Sequence, residues 1–325
     1  MSQNTLVLIS KNQDDYLFTE QIAKNLGIPF QVANSKDKLH EILCSNLGCF
    51  IFWDYDTILD ENPVNAKFNQ DLIQYFERHR VWHRIFALSS HPLQRVVVPG
   101  HFNSFSKYIH RKYDLEALKV YSYIINSILV QNPFENTSTG IEDIQVQKTK
   151  IGNSLRKKAT IQALGIILER KTIPKRIASS IIQSVDELIL NGIFDAPIDS
   201  SGKRYRHQLE RGGNFDLSSK EEVEVELITT QSFLQVSVTD FFGSIDKEKL
   251  IPLLTKNFQT EEVNSTAEGA KVTSGLGIYQ ILKSGLSLQI IIEPGRRTKF
   301  SLFVPWVVNV RQLKESFKFF CLRVK

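Results

Sequence analysis

The stretch Leu234-Gln-Val-Ser-Val-Thr-Asp240 decides the fold of the C-terminal half, because apolar and polar residues alternate along it without interruption. Side chains on a β-strand point to opposite faces at every second residue, so this pattern predicts a strand with one buried face. The stretch Val223-Glu-Val-Glu-Leu227 alternates in the same way and predicts the partner strand of an antiparallel hairpin. Two further alternating runs, at 286–292 and 300–304, flank the turn residues Pro294-Gly295 and predict a second hairpin.

Two segments with helical periodicity, at 153–170 and 174–194, precede these strands. Helices and strands are therefore segregated, which is typical of an α+β sandwich in which helices cover an antiparallel or mixed sheet. Between two helical segments, Thr255 to Ser274 is rich in Thr, Ser, Glu, Asn and Gly, and this composition predicts a mobile loop.

The N-terminal part, from Met1 to about Val130, has a different pattern, in which short apolar runs alternate with helical segments. This alternation predicts an α/β fold with a flavodoxin-like, five-stranded parallel sheet and crossover helices. The predicted strands are Thr5–Ile9, Pro29–Val32, Cys49–Trp53, Arg84–Leu88 and Phe105–Ile109, and the last predicted helix is Asp114–Leu129. We expect a first domain at 1–130, a polar linker at 131–145 and a second domain at 146–325.

Composition excludes several classes of protein. The chain has 325 residues, 42% of them hydrophobic and 23% charged, which indicates two globular domains and neither disorder nor a fibrous repeat. No apolar run approaches the ~18 residues of a membrane span, so we expect a cytoplasmic protein without a signal peptide or a membrane partner. The three cysteines form no C-x-x-C pair and are expected to be reduced. Lysine and arginine exceed aspartate and glutamate by 40 to 35, and this small, scattered excess disfavours a nucleic-acid partner.

Several polar side chains are predicted to face the core of the second domain. Strict alternation directs the Asp240 carboxylate to the same face as the core residues before it, unless the strand ends first and Asp240 turns outward. A buried carboxylate needs a donor from the protein or from a ligand. Glu187, Asn191 and Asp195 follow one another at i, i+4 and i+8 along one edge of a predicted helix, although Asn191 could simply cap that helix.

Four motifs in order carry a resemblance to a known superfamily. They are Glu187-x-x-x-Asn191, Asp240-Phe-Phe-Gly-Ser-Ile245, Ser274-Gly-Leu-Gly-Ile278 and Gly295-Arg-Arg-Thr298. They resemble the N, G1 and G2 boxes of the GHKL ATPases, which include gyrase, heat-shock chaperone, histidine-kinase and mismatch-repair ATPases. The resemblance covers roughly 155–306, and four ordered motifs are far more specific than one.

The resemblance implies a Bergerat-type pocket for ATP and Mg²⁺. In that pocket Asp240 would accept a hydrogen bond from the adenine amino group, with Thr298 helping through water, and Asn191 would bind Mg²⁺. Glu187 would orient or deprotonate the attacking hydroxyl or water, and Thr255 to Ser274 would close as a lid. The residues placed around the nucleotide are Asn191, Asp195, Asp240, Gly243, Ser274, Gly275, Gly277 and Thr298.

The sequence departs from the superfamily's pattern at two places. The usual G1 box is similar to D-x-G-x-G, but here Phe242 and Ser244 occupy both glycine positions and Gly243 lies between them. Asp195 stands where many relatives have His or Lys, so an anion replaces a cation. Basic residues that could restore positive charge near the phosphates are Lys203, Arg204, Arg206, Arg296 and Arg297.

The first domain, over about 4–128, resembles the receiver domain of response regulators. Asp54 ends the third predicted strand at the phosphoacceptor position, Ser89 ends the fourth, and Arg111 falls where that family has a lysine. Ser10 and Lys11 replace the acidic pair that binds Mg²⁺, so we expect a pseudo-receiver. Alternatively, Asp54 is a strand-end carboxylate that caps a turn. We also predict that the Lys11 ammonium pairs with Asp54 in place of a metal ion.

The resemblances imply a signalling function. A histidine kinase needs a phosphoacceptor histidine on the helix ahead of its ATPase domain, but none of the seven histidines lies within 153–170. The layout is more similar to the anti-sigma serine kinases. We expect a regulator that binds Mg-ATP and switches a protein partner, as a serine/threonine kinase or as an ATPase, with the pseudo-receiver as a surface for docking or homodimerisation. The alternative is a non-catalytic scaffold that has lost nucleotide chemistry.

Overall fold

The computed structural model describes residues 4–46, 48–59, 63–97, 102–129, 134, 144–206, 208–211, 213–263, 276–307 and 309–325. The chain divides into two compact units. The first comprises Met1–Gly140 together with Phe317–Cys321, and the second comprises Ile141–Ser316 together with Leu322–Lys325.

The first unit is a parallel five-stranded sheet that alternates with helices. Its strands are β1 (Thr5–Ile9), β2 (Phe30–Val32), β3 (Cys49–Asp54), β4 (Ile85–Ser89) and β5 (Lys107–His110), in the order β2-β1-β3-β4-β5. Its helices are α1 (Gln13–Leu26), α2 (Lys36–Ser45), α3 (Asp56–Leu59), α4 (Pro63–His79), α5 (Leu93–Val97), α6 (Phe102–Phe105) and α7 (Leu115–Leu129), with a 3₁₀ turn at Trp82–Arg84. The predicted flavodoxin-like fold is confirmed.

The local sequence explains these elements. Every residue of β1 and β4 is buried, as expected for strands of a parallel sheet that helices cover on both faces. Helix α1 begins after Asn12, whose side chain accepts a hydrogen bond from the Asp14 N–H, and ends at Gly27, whose φ is 63°. Because the five strands are parallel, their carboxyl ends lie along one edge of the sheet. Ligands bind at this edge in sheets of this class.

The second unit has an antiparallel sheet and its own helices. Its strands are β6 (Gln145–Ile151), β7 (Val223–Thr229), β8 (Phe233–Asp240), β9 (Ser287–Glu293) and β10 (Arg297–Pro305), in the order β9-β10-β8-β7-β6. Its helices are α8 (Ser154–Arg170), α9 (Lys175–Leu190), α10 (Lys247–Val263), α11 (Leu276–Lys283) and α12 (Val310–Glu315). A π-helical turn, Asn191–Asp195, continues directly from α9.

Register and burial place the polar residues of interest. Thr298 lies opposite Asp240, and Phe300 opposite Val238, in the antiparallel pairing of β10 with β8. The side chains of α9 that point inward, such as Ile181 and Leu188, are fully buried. The predicted fold class, with antiparallel strands and helices after the parallel sheet, is confirmed.

Helix α9 together with its π turn, Lys175–Asp195, is long and apolar enough to cross a membrane by length and composition alone. Half of its most apolar window is buried inside the protein, as in the core helix of a folded domain. The same apolar face packs the sheet of the second unit, so we interpret α9 as a core helix.

Three segments differ from the sequence-based expectation. Residues 255–263, predicted as part of a loop, form the end of α10, because Phe258 continues the buried helical stripe and packs against Tyr279 at 5.0 Å between ring centroids. Strand β6 was not predicted, because most of this strand is exposed and lacks an apolar face. A final strand, β11 (Phe319–Val324), was not predicted either, and its Phe319–Cys321 segment pairs antiparallel with β5.

Candidate functional site

A cavity of about 860 Å³ lies in the second unit. Its walls come from α9, the π turn, the irregular segment after it, the carboxyl end of β8, α10, α11 and β10. The predicted site residues that line it are Glu187, Asn191, Asp195, Asp240 and Gly277. Residues distant in sequence are thus brought to one concave, partly apolar site of the size that nucleotide-like ligands occupy.

The Asp240 carboxylate lies at this cavity and is only 3% exposed. Its Oδ1 accepts hydrogen bonds from the backbone N–H groups of Phe242, at 3.0 Å, and Gly243, at 3.1 Å. Every residue of β8 is buried, so this strand is covered on both faces and not on one face only, as its alternation predicted. Asp240 lies on the same face of β8 as Val236 and Val238.

One buried hydroxyl of this region, Ser244 Oγ, has no hydrogen-bond partner within the described part of the chain, and its residue lines the cavity. Buried hydroxyls in proteins are nearly always hydrogen-bonded, so this one indicates a polar ligand or an ordered water. Thr298 is fully buried, lies opposite Asp240 in the register of β10 and is not among the lining residues of the cavity. Its hydrogen bonds help to lower the pKa of the Asp240 carboxyl.

Burial also changes the acidity of Asp240. Removal from water raises the pKa of its carboxyl to about 6, while the N–H groups of Phe242 and Gly243 oppose that rise. The charged form therefore has a free-energy cost at neutral pH. Such a cost is typical of a side chain that is retained for a ligand.

The π turn brings the second group of polar side chains to the cavity. Within it, the Ala196 N–H donates to the Asn191 carbonyl at 2.9 Å, an i to i−5 hydrogen bond that widens the last turn of the helix. Asn191 and Asp195 then face the same cavity as Glu187 one turn earlier. π-helical turns are rare and occur frequently at functional sites.

Arg211 was not among the predicted site residues. Its Nη2 forms an ion pair with Asp195 Oδ2 at 2.5 Å, and its Nη1 lies 3.7 Å from Glu187 Oε1. Arg211 belongs to the irregular segment that follows the π turn, so no periodic pattern in the sequence could place it.

The structure separates the five basic residues that the sequence suggested for phosphate binding. Lys203 and Arg204 line the cavity. The others form ion pairs with carboxylates: Arg206 with Glu221 at 2.8 Å, and Arg296 and Arg297 with Glu293 at 3.0 and 2.8 Å.

Glycines at two motif positions have different structural roles. A Cβ atom on Gly277 would lie 2.6 Å from Cγ of Glu187, so this glycine permits α11 to approach the predicted catalytic carboxylate. Gly243 is not a lining residue of the cavity and packs against the turn between β9 and β10. Ser274 and Gly275, predicted to approach the phosphates, lie outside the described residues, as does the predicted lid from 264 onward.

We expect Gly243→Ala to destabilise the protein by about 2 to 3 kcal/mol, since it combines a positive φ with overpacking. Gly243 has a φ of 58°, and an added Cβ would overlap the Glu293 carbonyl oxygen and lie 2.7 Å from the backbone nitrogen of Arg297. Gly295→Ala is the matched control, because Gly295, in the turn between β9 and β10, also has a positive φ, of 69°, but nothing lies within 4 Å of its Cβ. Urea unfolding should show a clearly larger loss for Gly243→Ala; equal losses would contradict the close-contact explanation.

The first unit has a separate cluster at the carboxyl ends of its parallel strands. Arg111, which follows β5, forms ion pairs with Asp15 Oδ2 at 2.7 Å, with Asp54 Oδ1 at 2.6 Å and with Asp56. Ser89, another predicted residue, donates a hydrogen bond to Asp56. Three carboxylates from α1, β3 and α3 therefore converge on one guanidinium, which we call the Arg111 cluster.

Neighbouring groups shift the pKa values of two carboxyls in the Arg111 cluster. Burial raises the pKa of Asp54 above its ordinary value, and Arg111 opposes this rise. Burial alone would also raise the pKa of Asp56, but hydrogen bonds from Ser89 and Ser90 outweigh it and hold that pKa below its ordinary value. The two neighbouring carboxyls beside the same guanidinium therefore differ in acidity, because Asp56 receives serine hydrogen bonds that oppose its burial.

The Arg111 cluster differs from the sequence-based picture of this edge. Asp15 and Asp56 were not among the predicted residues of this edge. Asp15 also accepts hydrogen bonds from the hydroxyls of Ser10, at 2.6 Å, and Tyr113. Lys11 lies exposed after β1, and its pairing with Asp54 stays a prediction. In the described part of the chain, no group of three or more His, Cys, Asp or Glu side chains has the arrangement needed to bind a metal ion.

No protein-family model matches the chain, and no curated protein matches it in sequence. The geometry of the Asp240 cavity and of the Arg111 cluster is therefore the basis for assigning a function.

Proposed function

We propose that the second unit binds ATP with Mg²⁺ in the Asp240 cavity and uses the bound state to switch a protein partner in a signalling pathway. The single observation that supports this most strongly is Asp240, a buried carboxylate at a cavity with one oxygen fixed by two backbone N–H groups. Its other oxygen would accept a hydrogen bond from the adenine amino group. The unpartnered hydroxyl of Ser244, a lining residue of the cavity, fits a polar heterocycle or the water that accompanies it.

The far side of the cavity fits a polyphosphate. Lys203 and Arg204 supply positive charge, and Gly277 lies at the start of α11, where backbone N–H groups favour anions. Asn191 has a side-chain oxygen suited to Mg²⁺, an ion that usually keeps one or two protein ligands and takes the rest from phosphates and water. The metal, when bound, would neutralise phosphate charge.

Glu187 is the group that we propose acts on the attacking hydroxyl or water. It lines the cavity one helical turn before Asn191 and is held close to Gly277. A carboxylate at this place can orient a nucleophile and accept its proton, whether the nucleophile is water or a serine or threonine hydroxyl of a partner. We therefore propose an ATPase or a protein kinase of the anti-sigma type, similar to the GHKL superfamily in its four motifs.

The first unit, in this proposal, is a cytoplasmic docking or dimerisation module derived from a receiver fold. Arg111 already forms ion pairs with Asp54, Asp15 and Asp56. With a guanidinium at the centre of these carboxylates, a divalent metal ion would meet a positive charge instead of an open acidic site. We propose that the module keeps one conformation and does not respond to phosphorylation.

A second candidate is a scaffold without nucleotide chemistry. It is favoured by Phe242 and Ser244 at the usual glycine positions of the G1 box and by Asp195 at a position where many GHKL proteins have a cation. In this case both units would survive only as surfaces for protein partners.

Thermal unfolding of the full chain distinguishes the two candidates. ATP at about 100 times its dissociation constant should add about 2.7 kcal/mol of stability and raise the melting temperature. The increase should be larger with Mg²⁺ than with EDTA, because the metal lowers the cost of bringing phosphate charge beside Glu187 and Asp195. No increase with millimolar Mg-ATP or Mg-ADP would favour the scaffold.

A further inference from the structure

We propose that Arg211 is a phosphate-binding residue that makes the Asp240 cavity selective for the triphosphate, and that Asp195 is the positioning residue that holds it. This inference rests on the proposed function, because it takes the adenine to lie at Asp240 and the distal phosphate near Glu187. The resemblance expects a cation at position 195, and the structure supplies one from Arg211 instead.

The two distances from Arg211 show which carboxylate anchors it. Nη2 lies 2.5 Å from Asp195, a short charge-assisted contact, whereas Nη1 lies 3.7 Å from Glu187, which is too long for a hydrogen bond. One edge of the guanidinium is therefore fixed by Asp195, and the other edge is directed toward Glu187. The N–H groups of this second edge can donate hydrogen bonds to a phosphate oxygen. Arginine suits this task because its planar fork can contact two anionic groups at once.

Stability alone does not explain the pair. The side chains of Arg211 and Asp195 are 40% and 25% exposed, and ion pairs at such exposure contribute only ~0 to 1 kcal/mol. Both residues line the cavity. An ion pair that adds little stability but lies at the wall of a cavity is better explained by what enters that cavity.

The distal phosphate is the group that would distinguish the triphosphate at Arg211. Without ligand, Arg211 faces two carboxylates, so the local charge is negative and Mg²⁺ is needed to offset the charge of a phosphate there. A distal phosphate with Mg²⁺ would take the free edge of Arg211 and release Glu187 from its 3.7 Å contact, which leaves that carboxylate free to act as a base. ADP and adenosine lack the group that makes this exchange.

The test is calorimetric titration of the full-length protein with Mg-ATP, Mg-ADP and adenosine. We expect Arg211→Gln to weaken the binding of Mg-ATP about tenfold, or about 1.4 kcal/mol. The affinity for adenosine should change less than about twofold. Arg211→Lys should recover part of the loss, because an ammonium restores the charge but not the fork. Asp195→Asn should also weaken the binding of Mg-ATP. The variant that combines Asp195→Asn with Arg211→Gln should lose little more affinity than Arg211→Gln alone.

Lys220→Gln is the matched control. Lys220 is an exposed residue of the same irregular segment and does not line the cavity. Its substitution by glutamine removes one positive charge, as Arg211→Gln does. Equal losses for ATP, ADP and adenosine in Arg211→Gln, or no loss, would overturn the role of Arg211 and leave the nucleotide site intact. Absence of any nucleotide binding by the wild-type protein would overturn the proposed function and this inference together.

Discussion

Asp240→Asn is expected to reduce the affinity for Mg-ATP at least ~100-fold, the loss that follows when a charge-assisted hydrogen bond is replaced by two facing donors. The Phe242 and Gly243 N–H groups hold Oδ1 and would select the amide oxygen at that place. The amide nitrogen would then face the cavity and present hydrogen-bond donors to the amino group of adenine. The shape of the site would be kept while its polarity is reversed.

The same substitution is expected to stabilise the free protein. The pKa of Asp240 is raised from 3.8 to about 6, so the folded state at pH 7.5 retains an ionised carboxylate at a cost of about 2 to 3 kcal/mol. Because the folded pKa is raised, stability from this group is greatest below about pH 4 and falls as the pH rises through 6. Asparagine removes the ionisation, so the gain should be full at pH 7.5 and nearly absent at pH 4.

Denaturant unfolding at several pH values measures this gain. Asp186→Asn is a suitable control, because Asp186 is a partly exposed helix residue whose ion pair with Lys157 is 2.7 Å long. That variant should change stability by less than ~1 kcal/mol at any pH. A loss of stability in Asp240→Asn at pH 7.5 would mean that the carboxylate is structural.

Arg111→Gln is expected to destabilise the protein by about 3 to 5 kcal/mol at pH 7, the usual cost of leaving buried charges without their partner. Arg111 is the shared cation of Asp15, Asp54 and Asp56, and the side chain of Asp15 is fully buried. Arg111 lowers the pKa of Asp54 and of Asp56, so without the guanidinium both pKa values rise and protonation at lower pH reduces the repulsion. The difference from wild type should therefore narrow as the pH falls toward 4.

Two further variants test this explanation by urea unfolding. Lys112→Gln removes the next positive charge along the chain, whose pair with Asp114 is partly exposed, and should cost less than ~1 kcal/mol. Arg111→Lys should give an intermediate loss, because an ammonium restores the positive charge but lacks the planar, five-donor fork of the guanidinium. If Arg111→Gln and Lys112→Gln unfold with the same free energy, the Arg111 cluster does not stabilise the first unit.

The sequence predicted those elements in which local pattern and burial agree. Strand β1 is a continuous apolar run, and β7 and β8 alternate strictly, so their assignment needed no tertiary information. Strand β6 escaped prediction because an exposed edge strand has no buried face to impose a pattern. Strand β11 escaped it because a short run near the end of the chain offers no periodicity to distinguish strand from helix.

The residues of the candidate sites likewise fall into those that the sequence predicted and those that it missed. Glu187 and Asn191 were found because helical spacing places them on one edge, and Asp240 because strand alternation directs it inward. Arg211 was missed because an irregular segment gives no rule for the direction of a side chain. Asp15 and Asp56 were missed because their convergence on Arg111 depends on the order of parallel strands in the sheet.

Calorimetric titration of Mg-ATP into the wild-type protein and into Asp240→Asn tests the central claim most directly. Both proteins should be folded, since the substitution is expected to stabilise the free chain. Saturable binding by wild type, together with its loss in Asp240→Asn, is the predicted result. Equal binding by the two proteins, or none by either, would contradict the assignment of the Asp240 cavity as an adenine-nucleotide site.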